Sequence, residues 1–455
     1  MNKNDICNLE IIDNGCAFEG IAKVNHQVIF VPNAIVGEKV KAKIIKTNKS
    51  YAIGKIEEIL EESTFRNHPF CEVANLCGGC SAQHIQYDFQ LLLKNKMVSN
   101  VLEKNRVPYA VLNATIGMGM PYYYRNKVQY PVRCENGETK LGFYSKRSHR
   151  IVQNVCCYIQ NRVIDMVAKE IFDELIQQGF VGYEEETSKG DIRHIMIRRG
   201  YHTGEMMLVL IVNREELLYD SRLLAILQKI ASQNSDIKSV YINWNASKTN
   251  EILGKEFRLI AGEEYIHDTI GHHTYAISPK SFFQVNTLQA EVLYSVLKDM
   301  LSLQGDEILF DLYSGVGSIG IFLSNAVKQV YGIEIEEQAV AMANINLRRN
   351  HVRNAEYIAG SVEEKIEEYR ERGIKPDVIV VDPPRKGLDL HSIEYILNFA
   401  PKKIGYVSCN PATLARDLKL LSSQYEIMAI TPVDMFPQTN HVECCSVLSL
   451  KNSIQ

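Results

Sequence analysis

From residue 288 onward the sequence alternates helix-like and strand-like segments, and that alternation leaves few folds open. A helical pattern over 288–303 leads into an apolar run at 307–311, and the turn Gly315-x-Gly317-x-x-Gly320 opens the next helix. Further strand-like runs follow at 330–333, 378–381, 404–407 and 445–450. Strands separated by helices cannot pair as hairpins, so the pattern predicts a doubly wound parallel sheet that binds its ligand beyond the carboxyl ends of the strands. A lone GxGxxG turn suits a dinucleotide as well as any other nucleoside. Asp311 and Glu334, however, close neighbouring strands where a carboxylate can accept hydrogen bonds from ribose hydroxyls, and we read this as a site for S-adenosylmethionine. Two more strands end in Asp382-Pro383-Pro384 and Ser408-Cys409-Asn410-Pro411, which should face the same crevice. A helix predicted over 413–421 would put the Cys409 thiol near backbone amides that favour a thiolate.

The 455 residues predict about three domains, and 46% apolar residues is ordinary for globular chains with sizeable cores. The opening Met1-Asn2-Lys3-Asn4-Asp5 leads into no unbroken apolar run, and no later stretch approaches the roughly 18 residues of a membrane span, so we expect a cytoplasmic protein without a membrane partner. Eleven cysteines in a chain of this kind argue for reduced thiols with metal-binding or catalytic tasks. A net charge of −4 means that any nucleic acid is held by local basic patches.

Residues 1–62 alternate short β-branched runs at 27–31, 40–45 and 51–59 with glycines, the rhythm of a small barrel. Six lysines (39, 41, 43, 46, 49 and 55) meet no acid between 39 and 55, which predicts one basic strand face, either merely solvated or in contact with RNA. The central segment, 63–268, carries Cys71-x5-Cys77-Gly-Gly-Cys80, a spacing that lets thiolates face one metal group. Cys156 and Cys157 are candidates for a fourth ligand, and spacing leaves zinc and an iron–sulfur cluster equally open. A helix is expected over 89–102, within a segment (85–114) that could pack on the C-terminal domain. Between 121 and 150, seven Lys or Arg (Arg125 and Lys127 among them) against two Glu interleave with aromatic residues, a combination that grips phosphates and stacks on unpaired bases. Strand-like runs at 191–199 and 206–212 extend an α+β central domain.

The ordered motifs SFFQVN (281–286), DLYSGVG (311–317), DPPRKG (382–387), SCNP (408–411) and HVE (441–443), with CGGC (77–80) and RNK (125–127) upstream, resemble the S-adenosylmethionine-dependent RNA uracil-5-methyltransferases over most of the chain. The resemblance implies a multidomain α/β protein: an N-terminal OB-like β-barrel similar to a TRAM domain (1–62), a central α+β RNA-binding domain (63–268) and a C-terminal Rossmann-like methyltransferase domain (269–455). It implies cofactor contacts from Gln284, Tyr313, Glu334 and Asp382. It also implies a [4Fe-4S] cluster held by Cys71, Cys77, Cys80 and a fourth cysteine, most naturally Cys157, with Cys156 the adjacent alternative.

Uracil C5 is too poor a nucleophile to take a methyl group from a sulfonium directly. Addition of the Cys409 thiolate to C6 would make C5 electron-rich, and a base must later remove the C5 proton, a role the resemblance assigns to Glu443. The TRAM-like segment together with the cluster cysteines is typical of the 23S rRNA branch, so 23S rRNA is the expected partner, with no DNA and with a monomeric protein. A tRNA uracil-5-methyltransferase and a noncatalytic RNA-binding assembly factor are the alternatives. A TRAM-bearing radical methylthiotransferase would carry Cys-x3-Cys-x2-Cys, which this sequence lacks.

Overall fold

The computed structural model describes residues 2–154 and 156–451. In the N-terminal part six strands form one sheet in the spatial order Ile6–Glu10, Lys39–Thr47, Tyr51–Glu61, Gln27–Val31, Gly20–Val24, Asp13–Asn14. Alternation in Lys39–Thr47 buries Val40, Ala42 and Ile44 and turns Lys39 and Lys41 outward, as a period of two requires. The register changes the expected charge pattern. The run lacks acids in sequence, but the neighbouring strand supplies them: Lys39 pairs with Glu61 at 2.9 Å and Lys41 lies opposite Glu58. Positive charge free of acids therefore shifts to Lys43, which stands opposite Lys55, and to Lys46.

A second six-stranded sheet runs Glu256–Gly262, Ile237–Trp244, Met206–Val212, Ile192–Arg199, Lys127–Glu135, Glu138–Leu141. Helices Arg162–Gln177 and Ser221–Gln233 cover one face; Ile164, Val167, Ile171 and Leu175 of the first follow helical spacing into that core. Met196, Met207, Val209 and Ile211 on the other face share a core with helix Thr287–Leu301 and the hairpin Ile266–Ile270/His273–Ile277. Strand Met206–Val212 is thus buried on both faces, which explains its unbroken apolar sequence.

The C-terminal sheet has eight strands in the order Ala355–Ala359, Gln329–Glu334, Ile308–Leu312, Val378–Val381, Lys403–Ser408, Glu443–Leu450, Tyr425–Val433, Val111–Leu112. The first five are mutually parallel, and Glu443–Leu450 runs antiparallel to both of its neighbours. Helix Tyr87–Lys104, far upstream in sequence, packs Val98 and Leu102 against Leu414 and Leu418 of helix Pro411–Leu421, and Val111–Leu112 then extends the sheet. Among the described residues no helix is long and apolar enough to cross a membrane.

Candidate active site

The strand order reverses between Ile308–Leu312 and Val378–Val381, and a crevice opens at their carboxyl ends. After the first strand the chain turns through Tyr313 (φ 63°), Gly315 (φ 54°) and Gly317 (φ 79°) before helix Ser318–Leu323. Left-handed backbone at three positions in five explains the glycines and marks Tyr313 as strained. The acids that close the strands hold this loop: Glu334 Oε2 accepts the Gly315 N–H at 2.9 Å, and Asp311 Oδ2 accepts the Gly320 N–H at 2.9 Å. A Cβ on Gly320 would lie 2.3 Å from the Tyr357 hydroxyl and 2.7 Å from Asp311 Oδ2, so this position tolerates only glycine. Glu334 Oε1 takes the Glu336 N–H at 3.0 Å, yet each carboxylate oxygen keeps a lone pair for a ribose hydroxyl. The Tyr313 hydroxyl bonds Ser392 Oγ at 2.9 Å, and Ser314 Oγ is buried without a partner. Burial pushes Asp311 and Asp382 up to about 7. Gln284 is buried on the segment before helix Thr287–Leu301, its carbonyl accepting Asn126 Nδ2 at 3.0 Å. Glycine loop, flanking acids and an unpartnered hydroxyl fit the nucleoside of S-adenosylmethionine.

Cys409 follows strand Lys403–Ser408, and Glu443 opens the strand paired with it, with Cys444 opposite Ser408. Thiol and carboxylate thus leave adjacent strands at one edge. Burial, then the charges of Glu443 and Asp382, push the Cys409 thiol up to about 11, against the opposing pull of Arg385. A backbone N–H does favour the thiolate, as expected, but burial and the two carboxylates outweigh it. Asn410 caps the following helix instead, its Oδ1 accepting the Ala412 N–H at 3.1 Å, so the amide is already satisfied. Glu443 is 5% exposed; burial and Asp382 raise its carboxyl well above the usual carboxylate range, with Arg385 again opposing. His441 is exposed and packs edge-on to Phe436, ring centroids 6.1 Å apart.

The segment that delivers Glu443 is held from outside the catalytic sheet. Lys94 and Asp434 form a fully buried ion pair, and the Tyr87 hydroxyl donates to Asp434 at 2.9 Å. Gln90 exchanges hydrogen bonds with Gln438 at 3.0 and 3.2 Å, and the N–H groups of Ser81 and Ala82 both donate to the Gln438 carbonyl. Sequence reasoning missed these partners. Arg385 lay inside a recognised motif, but nothing local announced that its charge favours the ionised thiol and base.

Cys71, Cys77, Cys80 and Cys157 line one small cavity with Gln83, Arg125 and Asn154. Cys156 is exposed and does not line it, so the cavity favours Cys157 as the fourth thiol. Burial pushes Cys80 up to about 11 and Cys157 up to about 12, with the neighbouring thiols adding to both. Among the described residues no three His, Cys, Asp or Glu converge closely enough for a single metal ion. The expected phosphate-gripping pair also moves. Arg125 faces the cysteine cavity, and burial together with Arg198 and Arg125 pulls the Lys127 ammonium down to about 7. Tyr124 and Tyr130 are core residues.

A family model described as tRNA (Uracil-5-)-methyltransferase matches residues 203–451, and a TRAM domain model matches 12–56. The chain belongs to the tRNA (uracil-5-)-methyltransferase family. An uncharacterized RNA methyltransferase of Oceanobacillus iheyensis is 42% identical over 100% of this chain and 98% of its own length. One from Clostridium acetobutylicum is 45% identical over 97% and 96%. The crystal structure of Pyrococcus abyssi tRNA (uracil-54, C5)-methyltransferase in complex with S-adenosyl-L-homocysteine superposes with a TM-score of 0.76 at 26% identity, covering 97% of this chain and 100% of that one. As a member of the family, this protein is an S-adenosylmethionine-dependent RNA uracil-5-methyltransferase with an N-terminal TRAM domain and a Rossmann-like methyltransferase fold.

Proposed function

We propose that the protein methylates C5 of a specific uridine in 23S rRNA through a covalent bond between Cys409 and C6. The observation that carries the chemistry is the meeting of Cys409 and Glu443 at one edge of the sheet, beside Asp382 and Arg385. Gln284, Tyr313, Glu334 and Asp382 hold the methyl donor, which supplies an electrophilic methyl group when bound. Cys409 loses its thiol proton and adds to C6, pushing an electron pair through the ring so that C5 becomes nucleophilic. Once C5 is methylated, Glu443 takes its proton, the C5–C6 double bond reforms and the thiolate leaves. The target uridine is everted into the crevice for this to occur. In the free protein burial disfavours the ionised forms of both Cys409 and Glu443, and Arg385 is the residue that favours them.

The N-terminal sheet serves as an OB-like RNA-binding module, and the four-cysteine cavity suits a [4Fe-4S] cluster. Support for this reading is that Cys71, Cys77, Cys80 and Cys157 line one cavity and that thiolate-only ligation suits such a cluster. We take the protein to be a cytoplasmic monomer. A tRNA substrate is the second reading, favoured by the full-length likeness to an enzyme whose crystal structure names tRNA uracil-54. Mapping 5-methyluridine in rRNA and tRNA from a deletion strain tests both. Loss of one 23S rRNA site is expected; an unchanged rRNA profile with a lost tRNA site selects the second reading, and no loss in either overturns both.

A further inference from the structure

A cleft of about 800 Å³ separates the N-terminal sheet from the central domain, and none of Gln284, Tyr313, Glu334, Asp382, Cys409 or Glu443 lines it. We propose that this cleft is a second RNA site, which stacks an unpaired stretch of the substrate at a distance from the target uridine. The proposal rests on the reading that RNA is the substrate. Phe30 and Tyr51 form one wall, their rings edge to face at 5.6 Å, and Phe143 and Tyr144 line the opposite side, Phe143 against Tyr130 at 4.7 Å and Tyr144 stacked on His149 at 5.0 Å. All four are partly exposed; Phe143 packs against the central core, whereas Phe30 and Tyr51 stand outside the N-terminal one. The Phe30–Tyr51 wall offers an aromatic surface on which a base stacks, and only unpaired bases offer their faces.

The floor supplies a polar reader. His84 is only 8% exposed, yet its Nε2 has no hydrogen-bond partner. Burial and the charges of Arg66 and Lys146 push its imidazole down to about 3, so the ring stays neutral. A neutral imidazole offers one donor and one acceptor, the complement of a base edge. The acid in the lining, Glu19, is engaged by the Ala17 N–H at 2.8 Å.

Charge selects nucleic acid as the occupant. Lys146 and Arg147 line the rim on the central-domain side. On the other side Phe30 stands opposite Ile53 and Ile53 opposite Lys46, so the aromatic wall runs across the sheet into the lysines that lack an acidic partner. The backbone of a strand whose bases enter the cleft would meet cations on both sides.

The test titrates the full-length protein with a short single-stranded RNA and with its fully paired duplex, following fluorescence anisotropy and the quenching of 2-aminopurine in the unpaired strand. Replacing Phe30→Ala and Tyr51→Ala together should weaken binding of the single strand about 10- to 100-fold and abolish the quenching. Tyr51→Trp should preserve both, and methyl-donor binding should be unchanged in every variant, which controls for folding. The proposal is overturned if the double alanine variant binds the single strand as tightly as wild type, or if duplex affinity falls equally. It is also overturned if the substitutions abolish only a concentration-dependent dimer, which would make the occupant a second copy of the chain. Failure of wild-type protein to methylate any RNA, with the stacking signature intact, would remove the catalytic reading and leave the cleft standing.

Discussion

Replacing Glu443 by Gln should affect two steps of the reaction in opposite directions. In the wild type the carboxylate is one of two negative charges that raise the Cys409 thiol to about 11. An opposite charge about 4–6 Å away moves a carboxyl's pKa by about 1–3; a like charge acts by the same Coulombic mechanism in the other sense, and because Arg385 opposes it and the thiol is partly open to solvent we take a change of about one. Glu443→Gln should therefore bring the thiol down and raise the thiolate fraction roughly tenfold at a given pH below its pKa. Alkylation of Cys409 by iodoacetamide, read by peptide mass spectrometry between pH 7 and 9, should accelerate by that factor. Turnover should nevertheless fall about 10²–10⁴-fold, because the amide cannot accept the C5 proton. A methylated protein–RNA adduct should accumulate and survive denaturing electrophoresis. Normal turnover in the variant, or slower alkylation of Cys409, would refute the reasoning.

Four further outcomes are expected. Since Cys409 and Glu443 both have raised pKa values and both act in their deprotonated forms, kcat/KM should climb with pH from 7 to 9; a flat or falling profile contradicts the roles assigned to them. Lys94→Met leaves the Asp434 carboxylate buried without its partner and should cost about 3–5 kcal/mol of stability, visible as a lowered Tm, whereas an unchanged Tm would mean that the pair holds nothing. Neutralising Lys43, Lys46 and Lys55 should flatten the dependence of log affinity for RNA on log salt by about two, near 0.7 for each phosphate no longer neutralised, without changing methyl-donor binding; an unaltered slope marks these lysines as a solvated face. Protein purified without oxygen should be brown, and Cys77→Ser should bleach it; a colourless protein with stoichiometric zinc refutes the cluster.

The catalytic sheet was legible because its parallel strands are short apolar runs punctuated by turn residues and closed by acids. The run at 378–381 appears at those bounds, and 307–311 and 404–407 differ from the observed strands by one residue at each end. Helix Arg162–Gln177 also carried local signals that went unused: Asn161 caps a run with Ile164, Val167, Ile171 and Leu175 at helical spacing. Other features depend on the folded chain. Strand register decides that Lys41 faces Glu58 while Lys43 faces Lys55. The buried pair Lys94–Asp434 joins residues that no local pattern relates. The same limit applied to Cys409, whose motif suggested an activated thiolate; Glu443 and Asp382 come close only when three strand ends meet, and together with burial they reverse the direction of the shift.

The central claim is that Cys409 bonds covalently to C6 of the target uridine. RNA carrying 5-fluorouridine at that position tests it most directly, because fluorine at C5 cannot leave as a proton and the adduct is trapped after methyl transfer. Wild-type protein with S-adenosylmethionine should give a complex that resists denaturation, with RNA attached to the peptide containing Cys409, and Cys409→Ala should give none. Formation of 5-methyluridine by Cys409→Ala, or a trapped adduct at any other residue, would contradict the account.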